Sequence, residues 1–215
     1  MTKISISTHP AKEGLISYFK ELEALDIDML HCDVMDGVFV IDKTITNVEV
    51  SQINDMSTIV LDVHLMVQNP YNLIKSYKKA GANILTVHYE AFSDKNELIK
   101  TLALIKKYHM LAGLSIKPAT QISEIKHLLP LVDLVLIMSV EPGKSGQDFM
   151  PNSLEKIGEL KRIIKSDNLH ILIEVDGGIN DTNAKSVISK GADILVVGSY
   201  LFNAKNRAEA IKLLK

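Results

Sequence analysis

Eight short, almost unbroken apolar runs, separated by polar or amphipathic stretches, constrain this chain more than any other feature. They span Lys3–Ser7, Met29–Val34, Thr58–Leu65, Asn83–His88, Leu111–Ile116, Asp133–Met138, His170–Val175 and Asp193–Val197. Runs without polar alternation suit strands covered on both faces, as in a parallel sheet. The stretches between them carry helical spacing. Leu15, Ile16, Phe19, Leu22 and Leu25 precede the second run, Leu98, Leu102, Leu104 and Ile105 the fifth, and Leu154, Ile157, Leu160 and Ile164 the seventh. Pro70, Pro118 and Pro151 stand near expected helix starts, and Asp181 is placed to cap the helix after the seventh run. Gly81 and Gly191 fall where a left-handed residue ends a helix. Thr44–Met56 has the weakest helical pattern of the set.

Eight strand–helix units in 215 residues predict a single (β/α)8 barrel, with residues 1–215 as one domain. The alternative, an open doubly wound sheet, usually carries Gly-x-Gly-x-x-Gly after its first strand, and no such turn is present. At 47% hydrophobic residues, a chain of this length buries a large core without disulfides. Its single cysteine, Cys32, leaves no internal disulfide and points to a reducing cytoplasm. A net charge of -2 without a basic run argues against nucleic-acid binding. The opening Met1–Ser7 is too short an apolar stretch for a signal peptide, and no run approaches the ~20 residues that cross a bilayer. The expectation is a soluble cytoplasmic protein.

Four polar residues interrupt the ends of three of these runs. His31 and Asp33 lie two apart in Leu30–Gly37 and so face the same side of their strand; His64 lies in Leu61–Met66, and Asp176 precedes Gly177-Gly178. Charged groups are expensive in apolar strands unless a metal, a partner or a substrate compensates them. Singly, each has a bland reading: a strand histidine is often a hydrogen-bonded core residue, and Asp before Gly-Gly often only forms a turn. Jointly they are harder to dismiss, because a barrel gathers strand C-termini at one face. Two imidazoles and two carboxylates form a donor set suited to one divalent ion: zinc, iron, manganese or cobalt. Met35, Met66 and Met138 read either as a soft lining of that site or as core filler.

Glycine-bearing segments follow the last three runs: Glu141–Gln147, Asp176–Asn180 and Val197–Tyr200. Small residues let backbone N–H groups approach an anion, and loops seven and eight of such barrels often hold phosphate. Lys144 either adds charge to this cradle or is simply solvated.

The segments His31–Gly37, Asp62–Val67, Val87–Ala91, Met138–Gly143, Val175–Ile179 and Gly191–Ser199 resemble the ribulose-phosphate 3-epimerases, in order and spacing, over essentially the whole chain. The resemblance implies that His31, Asp33, His64 and Asp176 bind one divalent metal, with Asp33 and Asp176 as the acid–base pair. It implies substrate contacts from Ser5, His64, Gly143, Lys144, Ser145, Gly146, Gly177, Gly178, Gly198 and Ser199. Ser5 aligns with the family's strand-one serine, and Ser7 is the other candidate. The implied reaction converts D-ribulose 5-phosphate to D-xylulose 5-phosphate, and the family is usually homo-oligomeric.

Departures from the family pattern fall in loops that close over or hold the sugar: Ile4 replaces a proline, Ile41-Asp42 replaces Pro-Asn, and Lys144-Ser145 replaces Phe-Gly. They keep D-allulose 6-phosphate 3-epimerisation open as an alternative, and behind it a non-catalytic phosphosugar-binding protein. Hexulose-phosphate synthase-like chemistry wants Asp-x-Lys on the third strand, where this chain has Asp62-Val63-His64.

Overall fold

The computed structural model describes residues 2–11, 14–25 and 27–215. Its eight strands are β1 (Lys3–Ser7), β2 (Met29–Met35), β3 (Val60–Met66), β4 (Ile84–His88), β5 (Leu111–Ile116), β6 (Leu134–Met138), β7 (Leu172–Asp176) and β8 (Ile194–Val197). Each pairs in parallel with the next, and β8 pairs with β1, closing a (β/α)8 barrel. Strand ends differ from the sequence expectation by two residues at most; β3 starts at Val60 rather than Thr58, and β7 at Leu172 rather than His170. Ends of this kind are set by which backbone groups find a neighbour, as when Leu172 N–H donates to the Asp133 carbonyl.

Nine α-helices wrap the barrel among the described residues: α1 (Leu15–Leu22), α2 (Asn47–Met56), α3 (Ile74–Lys79), α4 (Lys95–Lys107), α5 (Ile122–Ile125), α6 (Ser153–Ser166), α7 (Ala184–Ser189), α8 (Ser199–Phe202) and α9 (Arg207–Leu214). Their apolar faces are the expected ones. Phe19, Leu22, Leu98, Leu102, Ile105, Ile157 and Leu160 are fully buried against outward strand residues such as Leu30, Cys32 and Val63. The weakly patterned stretch after β2 does form a helix. It buries only Val50 and Ile53, but a reciprocal cap fixes its start: the Thr46 hydroxyl accepts from Val48 N–H, and Glu49 Oε2 accepts from Thr46 N–H.

Gly81 and Gly191 take φ of +98° and +114° at helix ends, as expected. Asp181 does not cap α7. That helix begins at Ala184, and the turn before it is held by Asn180 and Asn183, whose side-chain oxygens accept from Thr182 and Asn180 N–H. The amides of those two asparagines reach Gly178 O, a bond no aspartate can donate.

Alternation along each strand separates two environments. On β2, Leu30, Cys32 and Val34 face the helices, whereas Met29, His31, Asp33 and Met35 face the barrel axis. An apolar layer including Met29, Ile84, Leu134 and Ile194 fills the N-terminal end of the barrel. Above it lie the polar residues.

Candidate active site

Register brings the polar residues together. Asp33 pairs with His64 across β2–β3, Ser7 with His31 across β1–β2, and Met138 with Asp176 across β6–β7. His31 Nε2 lies 3.3 Å from His64 Nδ1 and 3.6 Å from Asp33 Oδ1, and His64 Nδ1 lies 3.8 Å from the same oxygen. With Asp176, all four residues offer donor atoms within 4.8 Å of one another. Bonds of ~2.1 Å at tetrahedral angles separate donors by roughly 3.4 Å, so this set fits a divalent ion.

Below this centre lies a second polar tier. His31 Nδ1–H faces Asp62 Oδ2 at 2.6 Å, and the Ser5 hydroxyl donates to the same oxygen at 2.9 Å. Glu174 completes a buried group with His31 and Asp62, its nearer oxygen 3.7 Å from His31 Nδ1. Burial, reinforced by the Asp62 charge, pushes Glu174 well above the usual carboxylate range.

The two acids expected to move protons sit in unlike surroundings. Burial would raise the Asp33 carboxyl, but His31 and His64 outweigh it and hold the group well below its ordinary range. Ser7 adds a hydrogen bond of 2.7 Å to Asp33 Oδ2. Asp176 is pushed up to about 7 by burial and by the charges of Asp33 and Asp62, against the pull of His31. Burial, with His88 and His31 opposing a further positive charge, draws His64 down to about 4 despite Asp33. Burial also opposes charge on His31, yet Asp62 and Asp33 raise it well above the usual imidazole range. One carboxylate ionised and one near neutral is the division of labour that acid–base chemistry uses.

A cleft opens over this floor. Asp33, Asp176, Met35, Met66 and Met138 form its deep wall, and Gly143, Lys144, Ser145, Gly146, Gly177, Gly178, Gly198 and Ser199 line its rim. Gly178 has φ +64°, and a Cβ there would stand 2.3 Å from the Phe149 backbone nitrogen, so only glycine fits. Two expected substrate residues lie elsewhere. Ser5 is fully buried one tier down, bound to Asp62, and Ser7, two residues on, reaches the cleft instead. The correction follows from the register, because it is Ser7 rather than Ser5 that stands beside His31 and Asp33. His64 is fully buried behind Asp33 and faces the four-donor centre, not the cleft.

Sequence reasoning did not single out Asp62, Glu174, His9, His88 or Glu90. The first two stand two residues before His64 and Asp176, on the same strand faces, so the spacing that linked His31 to Asp33 was the signal for them. His9 lines the cleft, 3.5 Å from Asp42 Oδ2.

A family model described as the ribulose-phosphate 3 epimerase family matches residues 4–202. The chain is 42% identical over 210 residues to the chloroplastic ribulose-5-phosphate-3-epimerase of Arabidopsis thaliana, covering 98% of this chain and 74% of that protein. It is 42% identical over 193 residues to the ribulose-phosphate 3-epimerase of Bacillus subtilis, covering 89% and 88%. Among solved structures, 3-hexulose-6-phosphate synthase from Salmonella typhimurium superposes with a TM-score of 0.71 at 17% identity, over 99% of this chain and 96% of that one. At that identity the likeness shows the barrel alone.

Proposed function

This chain belongs to the ribulose-phosphate 3-epimerase family, and from that premise we propose that it inverts C3 of D-ribulose 5-phosphate by two-carboxylate catalysis at a metal-bearing floor. The observation that carries the reading is the convergence of His31, Asp33, His64 and Asp176 at the C-terminal end of the barrel. These four residues would hold one divalent ion, with zinc, iron, manganese and cobalt all suited to two nitrogens and two oxygens. Such an ion would supply Lewis acidity toward the substrate's oxygens and offset charge that develops on them.

Epimerisation beside a ketone needs a proton to leave one face of C3 and another to arrive on the opposite face. Asp33, ionised and steadied by Ser7, takes the C3 proton and leaves a planar enediolate. Asp176, pushed up to about 7 and so able to carry a proton near neutral pH, delivers a proton from a strand three steps round the barrel wall. The roles exchange in the reverse direction. Positioned proton transfer contributes ~10²–10⁴-fold on each side. Met35, Met66 and Met138 keep the deep wall soft and dry. Backbone N–H groups of Gly177, Gly178, Gly198 and Ser199 cradle the phosphate, and Lys144 adds charge at the rim.

A coupled assay on ribulose 5-phosphate, with and without chelator and alongside metal analysis, tests the reading. A pure, metal-loaded sample that leaves every ketose phosphate unchanged overturns it. Lys144 and Ser145 line the cleft where the family has other residues, so turnover of D-allulose 6-phosphate is measured in parallel. No helix among the described residues is long and apolar enough to cross a membrane. We also propose a cytoplasmic homo-oligomer of a one-domain chain, to be read by fractionation and sedimentation.

A further inference from the structure

Resting on the reading of His64 as a metal ligand, we propose that His88 and Glu90 are positioning residues that fix the orientation and tautomer of His64 through a hydrogen-bonded relay. His64 turns its Nδ1 toward the four-donor centre, 3.3 Å from His31 Nε2. Its other ring nitrogen, Nε2, lies 2.8 Å from His88 Nε2, and His88 Nδ1 lies 3.2 Å from Glu90 Oε2. The directions of these bonds follow from the far end. Glu90 Oε1 already accepts from Lys117 N–H and from the Thr120 hydroxyl, so the carboxylate acts purely as an acceptor. His88 must then donate from Nδ1, which leaves a lone pair on its Nε2. That lone pair can only be met by a proton on His64 Nε2, so His64 presents a bare Nδ1 to the centre.

The far end is itself anchored. Lys156 Nζ donates to the carbonyls of Lys117, Pro118 and Thr120, which holds the loop whose N–H and hydroxyl grip Glu90. From the other side, the Phe39 ring packs on His88 at 4.8 Å between centroids, and Lys117 Nζ stands 4.4 Å from the same phenyl ring. His88 is fully buried and makes no contact with the cleft. Its position is accounted for by what it does to His64. The arrangement mirrors that of the other imidazole, His31, whose outer nitrogen ends on Asp62 directly. Outer partners of this kind typically change metal affinity ~10–100-fold when removed.

The test uses the purified full-length chain, stripped of metal and titrated with cobalt(II). Affinity is read by calorimetry and site geometry by the visible absorption of the bound ion. His88→Leu removes the acceptor; the expected result is a ~10–100-fold weaker cobalt affinity and an altered spectrum. His88→Gln puts an amide oxygen near the vacated Nε2 position and is expected to restore most of the affinity. Glu90→Ala, at the outer end of the relay, is expected to weaken binding in the same direction by less, and it decides the matter alone if His88→Leu does not fold. Wild-type affinity and spectrum in both His88→Leu and Glu90→Ala overturn the relay while leaving the metal site standing. Equal losses in His88→Leu and His88→Gln, with Glu90→Ala unchanged, overturn it too, because packing then accounts for everything. A wild-type chain that binds no cobalt at His64 overturns both the relay and the metal reading.

Discussion

Replacing Asp176 by asparagine separates catalysis from stability, because the two should move in opposite directions. Without metal this carboxyl is pushed up to about 7 from an ordinary value of 3.8, chiefly because burial disfavours its charge. A raised value means that the folded state prefers the neutral acid. The penalty is absent below about pH 4, grows as pH rises, and is complete above about 7. At pH 8 the displacement amounts to about 4 kcal/mol, and contact with the open cleft reduces it to about 2–4 kcal/mol. Asparagine keeps the shape and discards the charge. In chelator at pH 8, Asp176→Asn should therefore melt higher than wild type by roughly 4–15 °C, using ~2–4 °C per kcal/mol for a chain of this size. At pH 4.5 the gap should shrink to about a quarter of that. Added metal should narrow the gap from the wild-type side, since an ionised Asp176 is then compensated. Epimerase turnover should fall at least ~10³-fold, because the variant lacks the second proton donor. Calorimetric melting at both pH values, with and without chelator, provides the measurement. A variant that melts at or below wild type at pH 8 without metal refutes the electrostatic account; one that epimerises normally removes Asp176 from the mechanism.

Ser7→Ala should lower kcat/KM ~10–100-fold by taking a hydrogen bond from the ionised Asp33. Ser5→Ala should leave KM unchanged, and steady-state kinetics on the pair tests which serine meets the substrate. Gly178→Ala should lower the melting temperature and raise KM for the phosphorylated sugar, since the added Cβ strikes the Phe149 backbone at 2.3 Å in a left-handed conformation. Metal affinity should fall at least about tenfold per pH unit below 7, as Asp176 and His31 take up the protons that the ion must displace. Titrations at pH 6, 7 and 8 would show a flat profile if these groups were not ligands.

Unbroken apolar runs made the barrel legible, because only strands covered on both faces tolerate them. The deep half of the site was legible for a related reason: His31, Asp33, His64 and Asp176 each break an apolar pattern at a strand end. Spacing alone did not reveal depth. Ser5 and Ser7 point the same way along β1, and only pairing with β2 tells which of them stands level with Asp33. The lower tier escaped for the opposite reason to the upper. Asp62 and Glu174 lie inside their runs, where a polar residue reads as a strand's solvent face until closure turns that face inward. His88 ends its strand, yet its partner is another histidine, His64, a relation the linear sequence does not carry.

The two tiers belong together energetically. Asp33, Asp62, Glu174 and Asp176 crowd around a single imidazole that favours charge, His31, and a hydrogen bond between Asp62 and Glu174 lowers the first carboxyl and raises the second. Like charges at such distances cannot all ionise in a dry interior, and Glu174 and Asp176 respond by holding protons. A divalent ion held at the upper tier would relieve Asp176 directly, and Glu174 could stay neutral below it. Asp62 would then stay ionised to accept from His31 and from Ser5. The lower tier thus sets the charge of the upper one. Neutralising Glu174 permanently with glutamine should change metal binding little, whereas Asp62→Asn should weaken it, because a carboxylate holds the His31 proton on the nitrogen that faces away from the centre more strongly than an amide oxygen does.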